Sequence, residues 1–313
     1  MNKLYLVTPC YNEEEVISET AKRLVEKMND MIMRGLISSQ SKIVFVDDGS
    51  KDKTWELILN LHQTTDLISG IKLSTNKGHQ NALLAGLMTV KEHCDVSISL
   101  DADLQDDVNA IDSFMQQYLQ GNDIVYGVRS TRRKDTFFKK FTAQGFYKLM
   151  KALGVDIVYN HADYRLMSKR ALDGLAEFKE VNLFLRGVVP LIGYPSAVVT
   201  YERQERFAGE SKYPLKKMLN FAFDGITSFS VKPIRMITAL GMTIFSLSFL
   251  ILLYCVIVFF LGDTVLGWTS ITASVWMLGG LQLFAIGIIG EYIGKIYLES
   301  KARPKYIVEE FVN

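Results

Sequence analysis

The stretch Ser97-Ile-Ser-Leu-Asp-Ala-Asp-Leu-Gln-Asp-Asp107 decides how the rest of this 313-residue chain is interpreted. Its apolar part, residues 96–100, is typical of a buried strand, and the pattern ends abruptly in carboxylates. Asp101 and Asp103 lie two residues apart, so in an extended segment both side chains leave the same face. Paired oxygen ligands of this kind suit Mg²⁺ or Mn²⁺ bound together with phosphates. A solvated acidic turn, in which a later aspartate caps the next helix, explains the spacing equally well.

Residues 1–130 alternate short apolar runs with amphipathic stretches. We predict strands at residues 4–7, 43–46, 70–73, 96–100 and 123–126, and helices at residues 13–34, 54–62 and about 80–91. Strand, turn and helix repeated at this spacing predict an α/β fold with a mostly parallel sheet flanked by helices. Ligands of such sheets bind beyond the carboxyl ends of the strands.

Polar turns follow four of the predicted strands. They are Tyr11-Asn-Glu13, Asp47-Asp48, Asn76-Lys77 and Asp101-Ala-Asp103. Four polar clusters on one rim argue against a purely structural acidic turn and favour a ligand site. No G-x-G-x-x-G follows the first strand and no P-loop motif occurs, so a nucleotide bound here would need a metal to neutralise its diphosphate.

Composition limits the partners of the protein. The net charge of +1 is nearly balanced, which gives no support for a nucleic-acid partner. The three cysteines are far apart, which excludes a disulfide framework or a thiolate zinc site and fits a reducing compartment. The first residues lead directly into a strand pattern, so no signal peptide is expected.

Two long segments, residues 236–262 and 264–290, carry no side chain that is charged at neutral pH. Each is long enough to cross a bilayer as a helix, and neither contains a charge that could line a transport path. The link around Asp263 has no lysine or arginine, whereas basic residues flank both outer ends. The positive-inside rule therefore predicts a multi-pass plasma-membrane protein with both termini and the α/β domain in the cytoplasm.

The segments beside the two spans mix basic and apolar residues. Residues 213–230 and 291–306 fit amphipathic helices at the lipid headgroups, or simple helical connectors. The predicted organisation is a cytoplasmic domain (1–212), an interfacial region (213–234), a first span (235–262), an external link (263–268), a second span (269–291) and an interfacial tail (292–313). Five glycines in and after the second span would permit close helix approach, and hence a homo-oligomer.

Taken together, these residues resemble the polyprenyl-phosphate glycosyltransferases, membrane-bound family 2 inverting glycosyltransferases that include dolichyl-phosphate mannose synthases and bacterial undecaprenyl-phosphate glucosyltransferases. The resemblance covers almost the whole chain. It rests on Pro9-Cys-Tyr-Asn-Glu13, Val46-Asp-Asp-Gly-Ser50, Asn76-x-Gly78, Asp101-Ala-Asp-Leu-Gln105, Ala162-Asp-Tyr-Arg165, Arg206-Phe-Ala-Gly-Glu-Ser-Lys212 and the two spans. It implies a GT-A-type fold. Processive polysaccharide synthases share the front half but carry a Q-x-x-R-W motif, to which none of the three tryptophans belongs.

The resemblance also implies roles for individual residues. The residues expected to bind the nucleotide sugar are Pro9, Tyr11, Glu13, Asp48, Lys77, Asp101 and Gln105. Asp101, Asp103 and Gln105 would bind Mg²⁺ or Mn²⁺ with the diphosphate, and Asp163 would lie near the transferred sugar. Arg206, Ser211 and Lys212 would bind the acceptor phosphate. The expected catalytic residues are Asp103, Asp163, Arg206 and Lys212.

The implied activity is inverting, metal-dependent transfer of a hexose to undecaprenyl phosphate at the cytoplasmic membrane face, which gives a lipid-linked sugar for surface glycan modification. Glucose from UDP-glucose is the leading donor, and GDP-mannose, UDP-N-acetylglucosamine and UDP-galactose are alternatives. An alternative of another class is a non-catalytic scaffold that binds a nucleotide sugar at the membrane. The intact acidic and basic motifs argue against that scaffold.

Overall fold

The computed structural model describes residues 1–129, 161–180, 185–202 and 268–313, with scattered positions between 234 and 250. The described residues fall into two compact units. The first contains a β-sheet with its helices, and the second contains the long C-terminal helix.

The elements follow the predicted alternation of strands and helices. In chain order they are β1 (Leu4–Cys10), α1 (Ile17–Met33), β2 (Lys42–Asp47), α2 (Thr54–Thr64), β3 (Ile68–Leu73), α3 (His79–Val90), β4 (Val96–Ser99), α4 (Ala110–Leu119), β5 (Ile124–Arg129), β6 (His161–Ser168), α5 (Lys169–Ala176), α6 (Leu185–Leu191), β7 (Ser196–Tyr201), α7 (Trp268–Lys301) and β8 (Val308–Val312). The five predicted strands and three predicted helices are all present, with ends that differ by a few residues. Every residue of β1 is buried, as expected of a strand covered on both faces.

The eight strands form one sheet in the order β7-β5-β6-β4-β1-β2-β3-β8. Strands β1 to β5 and β7 run in one direction, and β6 and β8 run antiparallel to their neighbours. The prediction of a mostly parallel sheet is confirmed. The carboxyl ends of the parallel strands, and the start of β6, therefore lie along one edge of the sheet, which we call the carboxyl edge.

The last strand departs from the sequence-based organisation. Residues 292–313 are expected to form an interfacial tail, whereas β8 pairs antiparallel with β3 at the edge of the sheet. The Ser74 amide donates to the Ile307 carbonyl (3.0 Å), and the Lys72 ammonium lies 3.2 Å from the Glu309 carboxylate. Local periodicity misses this pairing because the strand completes its hydrogen bonds with a partner more than 230 residues earlier in the chain.

Helix α7 is longer than the predicted second span, since it continues without a break from Trp268 to Lys301. It ends where Ala302 takes a positive φ of 45° and Pro304 follows, a combination that a helix does not accommodate. Among the described residues one helix, Leu281–Lys301, is long and apolar enough to cross a membrane by length and composition. The predicted first span and the region of residues 213–234 lie largely outside the described residues.

Candidate active site

Residues 101–107, which we call the acidic turn, follow β4 directly at the carboxyl edge. Asp103 Oδ1 accepts a hydrogen bond from the Gln105 amide (3.1 Å), and Leu104 between them takes a left-handed φ of 56°. Leu104 is 4% exposed, so its side chain lies in the interior although its backbone has this unfavourable conformation. The turn therefore brings Asp101, Asp103 and Gln105, three of the predicted site residues, to one short segment.

Asp101 lies in surroundings that disfavour its charge. Burial raises its pKa to about 6, and the carboxylates of Asp106, Asp163 and Asp103 act in the same direction. His79 opposes this shift from the start of α3. The negative charge of the acidic turn is thus only partly compensated, and a cation would stabilise it further.

Asp163 is a carboxylate between two guanidinium groups. It lies on β6, where Arg165 Nη2 is 3.0 Å from its Oδ1, and Arg186 from α6 donates through Nε (3.2 Å) and Nη2 (3.0 Å). Burial disfavours the charged carboxylate, but Arg186 and Arg165 hold the pKa of Asp163 well below its usual range. Asp163 is therefore ionised at neutral pH.

The antiparallel strand β6 is what brings Asp163 to the acidic turn. It pairs with β4 so that Ser99 lies opposite Arg165, and the Ser99 hydroxyl donates to the Asp163 carbonyl (2.5 Å). The sequence predicts that Asp163 and Arg165 share one face of an extended segment, and their contact confirms this.

The His79 ring lies between the two carboxylates. Its Nε2 lies 3.5 Å from Asp101 Oδ1 and 3.7 Å from Asp163 Oδ2. It is the first residue of α3 and follows Gly78, whose positive φ of 85° is a conformation that glycine adopts readily. The sequence analysis does not predict His79 as a site residue. Its proximity to the polar turn Asn76-Lys77 is the feature from which it could have been identified.

Asp48 holds the loop that carries His79. Its Oδ1 accepts from the Lys77 amide (2.7 Å) and its Oδ2 from the Gly78 amide (2.9 Å). Burial raises the pKa of Asp48, and these two amide donors counteract the increase. Both oxygens of the predicted nucleotide-binding aspartate are thus engaged with the backbone beside Lys77, which makes Asp48 a structural support of the site as well.

The turns after β1 and β2 are joined to each other. The Asn12 amide donates to Ser50 Oγ (3.0 Å) and the Glu13 amide to Thr54 Oγ1 (2.9 Å). The Asp48 amide donates to the carbonyl of Cys10, the last residue of β1. Of the other predicted residues, Pro9 lies within β1 and Tyr11 is 41% exposed. Tyr11, Glu13 and Asp48 therefore come from joined turns at the carboxyl edge, and Pro9 lies buried at the end of β1 beside them.

Arg186 is a site residue that the sequence does not indicate. It reaches Asp163 from α6, whose first amide, that of Leu185, donates to Gln80 Oε1 (3.0 Å). The start of α3 thus positions both His79 and the helix that carries Arg186. No local motif marks Arg186, because its partner lies 23 residues earlier and is reached only through the fold.

The acidic turn fits a divalent cation only together with a further ligand. In the described part of the chain, no three His, Cys, Asp or Glu side chains converge tightly enough to hold a metal on their own. Two carboxylates and an amide oxygen are nevertheless hard donors of the type that Mg²⁺ and Mn²⁺ accept, with phosphate oxygens or water filling the remaining positions. Arg206, Ser211 and Lys212, the predicted acceptor-binding residues, lie outside the described residues.

Comparisons with known proteins agree with this architecture. Residues 5–175 match the family described as Glycosyl transferase family 2. A Bacillus subtilis (strain 168) protein, the uncharacterized glycosyltransferase YkoT, is 56% identical over 98% of this chain and 91% of its own length. The bactoprenol glucosyl transferase of Shigella phage SfV is 39% identical, and a prophage bactoprenol glucosyl transferase homolog of Escherichia coli (strain K12) is 37% identical, each over 98% of both chains.

Solved structures resemble the chain more distantly. The glucosyl-3-phosphoglycerate synthase of Mycobacterium tuberculosis, crystallised with Mn²⁺, UDP and phosphoglyceric acid, is 15% identical with a TM-score of 0.47, over 72% of this chain and 76% of that chain. A likeness at this level says nothing about ligands. The family match and the sheet of this structure confirm the expected GT-A-like α/β fold. With a family match over more than half of its length and full-length relatives at 37–56% identity, the chain belongs to glycosyltransferase family 2 and is a glycosyltransferase.

Proposed function

We propose that this glycosyltransferase transfers glucose from UDP-glucose to the phosphate of undecaprenyl (bactoprenyl) phosphate, with inversion at the anomeric carbon. The observation that carries the proposal is the placement of an ionised Asp163 beside the acidic turn, with the His79 ring 3.5 Å from Asp101 and 3.7 Å from Asp163. The relatives named as bactoprenol glucosyl transferases support the choice of sugar and acceptor, because they match the chain over 98% of its length.

The nature of the acceptor explains why Asp163 need not remove a proton. The second pKa of a phosphate monoester is about 6, so at neutral pH a lipid phosphate is mostly a dianion and already a competent nucleophile. Arg165 and Arg186 keep Asp163 ionised, which makes it a hydrogen-bond acceptor and a fixed negative charge. In the proposed reaction it orients the sugar and stabilises positive charge at the anomeric carbon.

Asp101, Asp103 and Gln105 would hold a divalent cation, Mg²⁺ or Mn²⁺, together with the donor diphosphate. Such a cation supplies charge neutralisation as the nucleoside diphosphate leaves. The contribution of the chain is to present these side chains from one short turn, which the Gln105–Asp103 hydrogen bond and the buried Leu104 side chain keep compact.

The remaining predicted residues complete the proposal. Pro9, Tyr11, Glu13, Asp48 and Lys77 would form the surface for the base and ribose of the donor. The loop with Arg206, Ser211 and Lys212 would bind the acceptor phosphate, since two negatively charged substrates must be brought together.

We also propose that the enzyme is anchored in the plasma membrane, with its catalytic domain in the cytoplasm. The support is the pair of uncharged segments, residues 236–262 and 264–290, with basic residues only at their outer ends. Helix α7 contains residues 268–290 of the second segment, and its part from Leu281 to Lys301 is long and apolar enough to cross a membrane by length and composition.

The experiment that tests the proposal uses purified full-length protein, undecaprenyl phosphate, Mg²⁺ and a panel of radiolabelled UDP- and GDP-sugars, with label counted in the organic phase. We expect label from UDP-glucose alone, lost on addition of EDTA. Label from a different donor would overturn the choice of glucose. Label that survives EDTA would overturn the metal assignment, and measurable donor binding without any lipid label would overturn the choice of acceptor.

A matched pair of variants makes this test specific to the acidic turn. Asp103→Ala should abolish transfer while the protein stays folded, whereas Asp66→Ala, on an exposed loop away from the site, should transfer at the wild-type rate. Transfer by Asp103→Ala at near the wild-type rate would remove Asp103 from the proposed metal site.

A further inference from the structure

One residue of the acidic turn, Asp106, belongs to a polar cluster that has no part in the proposed chemistry. Asp106 Oδ1 accepts a hydrogen bond from the Tyr201 hydroxyl (2.5 Å) and another from Arg129 Nη2 (3.4 Å). Arg129 Nε in turn donates to the Tyr201 oxygen (3.3 Å). Asp106 and Tyr201 are each only 4% exposed, so their hydrogen bond lies away from bulk water, whereas the Arg129 side chain is partly exposed.

The cluster ties the acidic turn to strands on the far side of β6. Arg129 and Tyr201 are the last residues of β5 and β7 and lie opposite each other in the parallel register. Asp106 comes from the segment after β4, and β6 separates β4 from β5 in the sheet. The hydrogen bonds of Asp106 therefore join the acidic turn to β5 and β7 across the amino-terminal end of β6.

The next residue of the turn, Asp107, is also held by a side chain of the sheet. The Tyr164 hydroxyl of β6 donates to the Asp107 carbonyl (3.0 Å). The Tyr164 ring packs edge-on against Tyr201 at 5.2 Å between centroids, and against Phe114 of α4 at 4.6 Å. Two consecutive residues of the turn are thus fixed by groups from three strands.

The turn needs such fixing because it contains a strained residue. Leu104 has a left-handed φ of 56°, a conformation that is unfavourable for a residue with a Cβ. Such a conformation persists only where the surroundings impose it. Leu104 stands between Asp103 and Gln105, so a relaxation of its backbone would separate the two proposed ligands.

Asp106 itself is poorly suited to be a ligand. Its side chain is 2% exposed, and its Oδ1 is already shared between Tyr201 and Arg129. Its Oδ2 has no hydrogen-bond partner among the described residues, so the burial of this carboxylate lowers the stability of the folded state. A role in shaping the neighbouring site accounts for a carboxylate in this position.

We infer that Asp106 and Tyr201 are positioning residues, which set the shape of the acidic turn so that Asp101, Asp103 and Gln105 meet one cation–diphosphate. The inference rests on the proposed function, since it takes the acidic turn as the metal and diphosphate site. Neither residue touches the substrate in this assignment.

The experiment measures Mn²⁺ binding by electron paramagnetic resonance in the presence of UDP, together with the melting temperature. Tyr201→Phe removes the hydroxyl but keeps the ring that packs on Tyr164. We expect its Mn²⁺ dissociation constant to increase about tenfold, as for a lost hydrogen bond to a charged group. Asp106→Asn should have an effect in the same direction. In the transfer assay, excess Mn²⁺ should restore most of the turnover of Tyr201→Phe.

Tyr5→Phe is the matched control, because Tyr5 is equally buried but lies near the amino end of β1, away from the carboxyl edge. It should bind Mn²⁺–UDP as the wild type does. Wild-type affinity in both Tyr201→Phe and Asp106→Asn would overturn the inference while leaving the proposed function intact. An equal loss of affinity in Tyr5→Phe would also overturn it, since the effect would then be a general loss of stability. A wild-type protein that binds no Mn²⁺ with either UDP or GDP would instead contradict the proposed function.

Discussion

Asp163 shows how one residue is tuned by its neighbours. It is 7% exposed, and two guanidinium groups compensate its charge, one of them from Arg165, which is 2% exposed. A buried ion pair of this kind contributes little net stability against an apolar pair, but removal of one partner leaves an uncompensated charge in the interior. Asp163 therefore contributes both to the proposed site and to the stability of the surrounding part of the domain.

We predict that Asp163→Asn abolishes transfer and lowers stability by roughly 3 kcal/mol, because Arg165 stays buried without its counter-charge. Differential scanning fluorimetry and the transfer assay measure the two effects. The control is Asp173→Asn, which loses an exposed contact with Lys91 worth about 1 kcal/mol or less. Equal melting temperatures for the two variants would show that Arg165 does not depend on Asp163.

Asp101 makes cation binding dependent on pH. Burial, reinforced by the neighbouring carboxylates, raises its pKa to about 6, so below this pH protons compete with the cation. We predict that Mn²⁺ affinity increases up to about tenfold per pH unit between pH 5 and 6 and levels off above pH 7. Mn²⁺ titrations at pH 5, 6, 7 and 8 measure this dependence, and Asp101→Asn should remove its steep part. A flat profile for the wild type would contradict the assignment.

The same raised pKa has a defined effect on folding. Between the unfolded value and about 6, the folded chain binds the Asp101 proton more tightly than the unfolded chain does. Asp101 therefore favours the folded state at pH values below 6, and this contribution is lost as the pH rises through 6. A bound cation would offset the loss, so EDTA should lower the melting temperature more at pH 7.5 than at pH 5.

At the scale of elements, the site depends on two loops that touch through their backbones. The turn after β2 supplies Asp48, which holds the amides of Lys77 and Gly78, and thereby the start of α3. Gly49 in that turn permits the approach: a Cβ there would lie 2.7 Å from the Asn76 nitrogen. Gly78 also has a positive φ, but apart from its chain neighbours no atom of the described residues lies within 4 Å of the position of its Cβ.

These two glycines form a matched pair for mutation. Gly78→Ala should cost only backbone strain, about 1–3 kcal/mol, because a φ of 85° with a ψ of 154° is a conformation that residues with a Cβ rarely adopt. Gly49→Ala also places a Cβ at a positive φ of 65°, and in addition it forces the loop before α3 to move. We therefore expect a larger fall in melting temperature and weaker UDP binding by calorimetry. If Gly78→Ala were the more damaging of the two, the close contact between the loops would not be what shapes the donor surface.

At the scale of the whole molecule, the chain returns to its first unit after α7, where β8 extends the sheet beside β3. The added strand covers hydrogen-bonding groups that β3 would otherwise expose. It is further attached by the Ser69–Asn313 hydrogen bond (3.1 Å), the Lys72–Glu309 contact, and a ring contact of Phe311 with His93.

We predict that a chain ending at Ile307 has a lower melting temperature and aggregates more readily, because β3 becomes an open edge. Glu309→Gln is the control, since it loses only the half-exposed Lys72 contact and should shift stability by about 1 kcal/mol or less. Scanning fluorimetry and light scattering measure both properties. Wild-type behaviour of the shortened chain would mean that β8 adds nothing to the stability of the sheet.

The sequence by itself determined the strands, their order along the chain and the polar turns at their ends. Those features are local: an apolar run of four to six residues and a polar turn can be recognised without knowledge of the partners. The acidic turn with Asp101, Asp103 and Gln105 could be found for the same reason, as could the extended segment with Asp163 and Arg165.

Only the tertiary structure decided which of these pieces meet. The insertion of β6 between β4 and β5 brings Asp163 within reach of His79, and α6 then adds Arg186. Asp106 finds Tyr201 95 residues later, and β8 finds β3 from the other end of the chain. Such contacts depend on strand pairing and side-chain packing between distant segments, and no local pattern of residue types records which distant segment will be the partner.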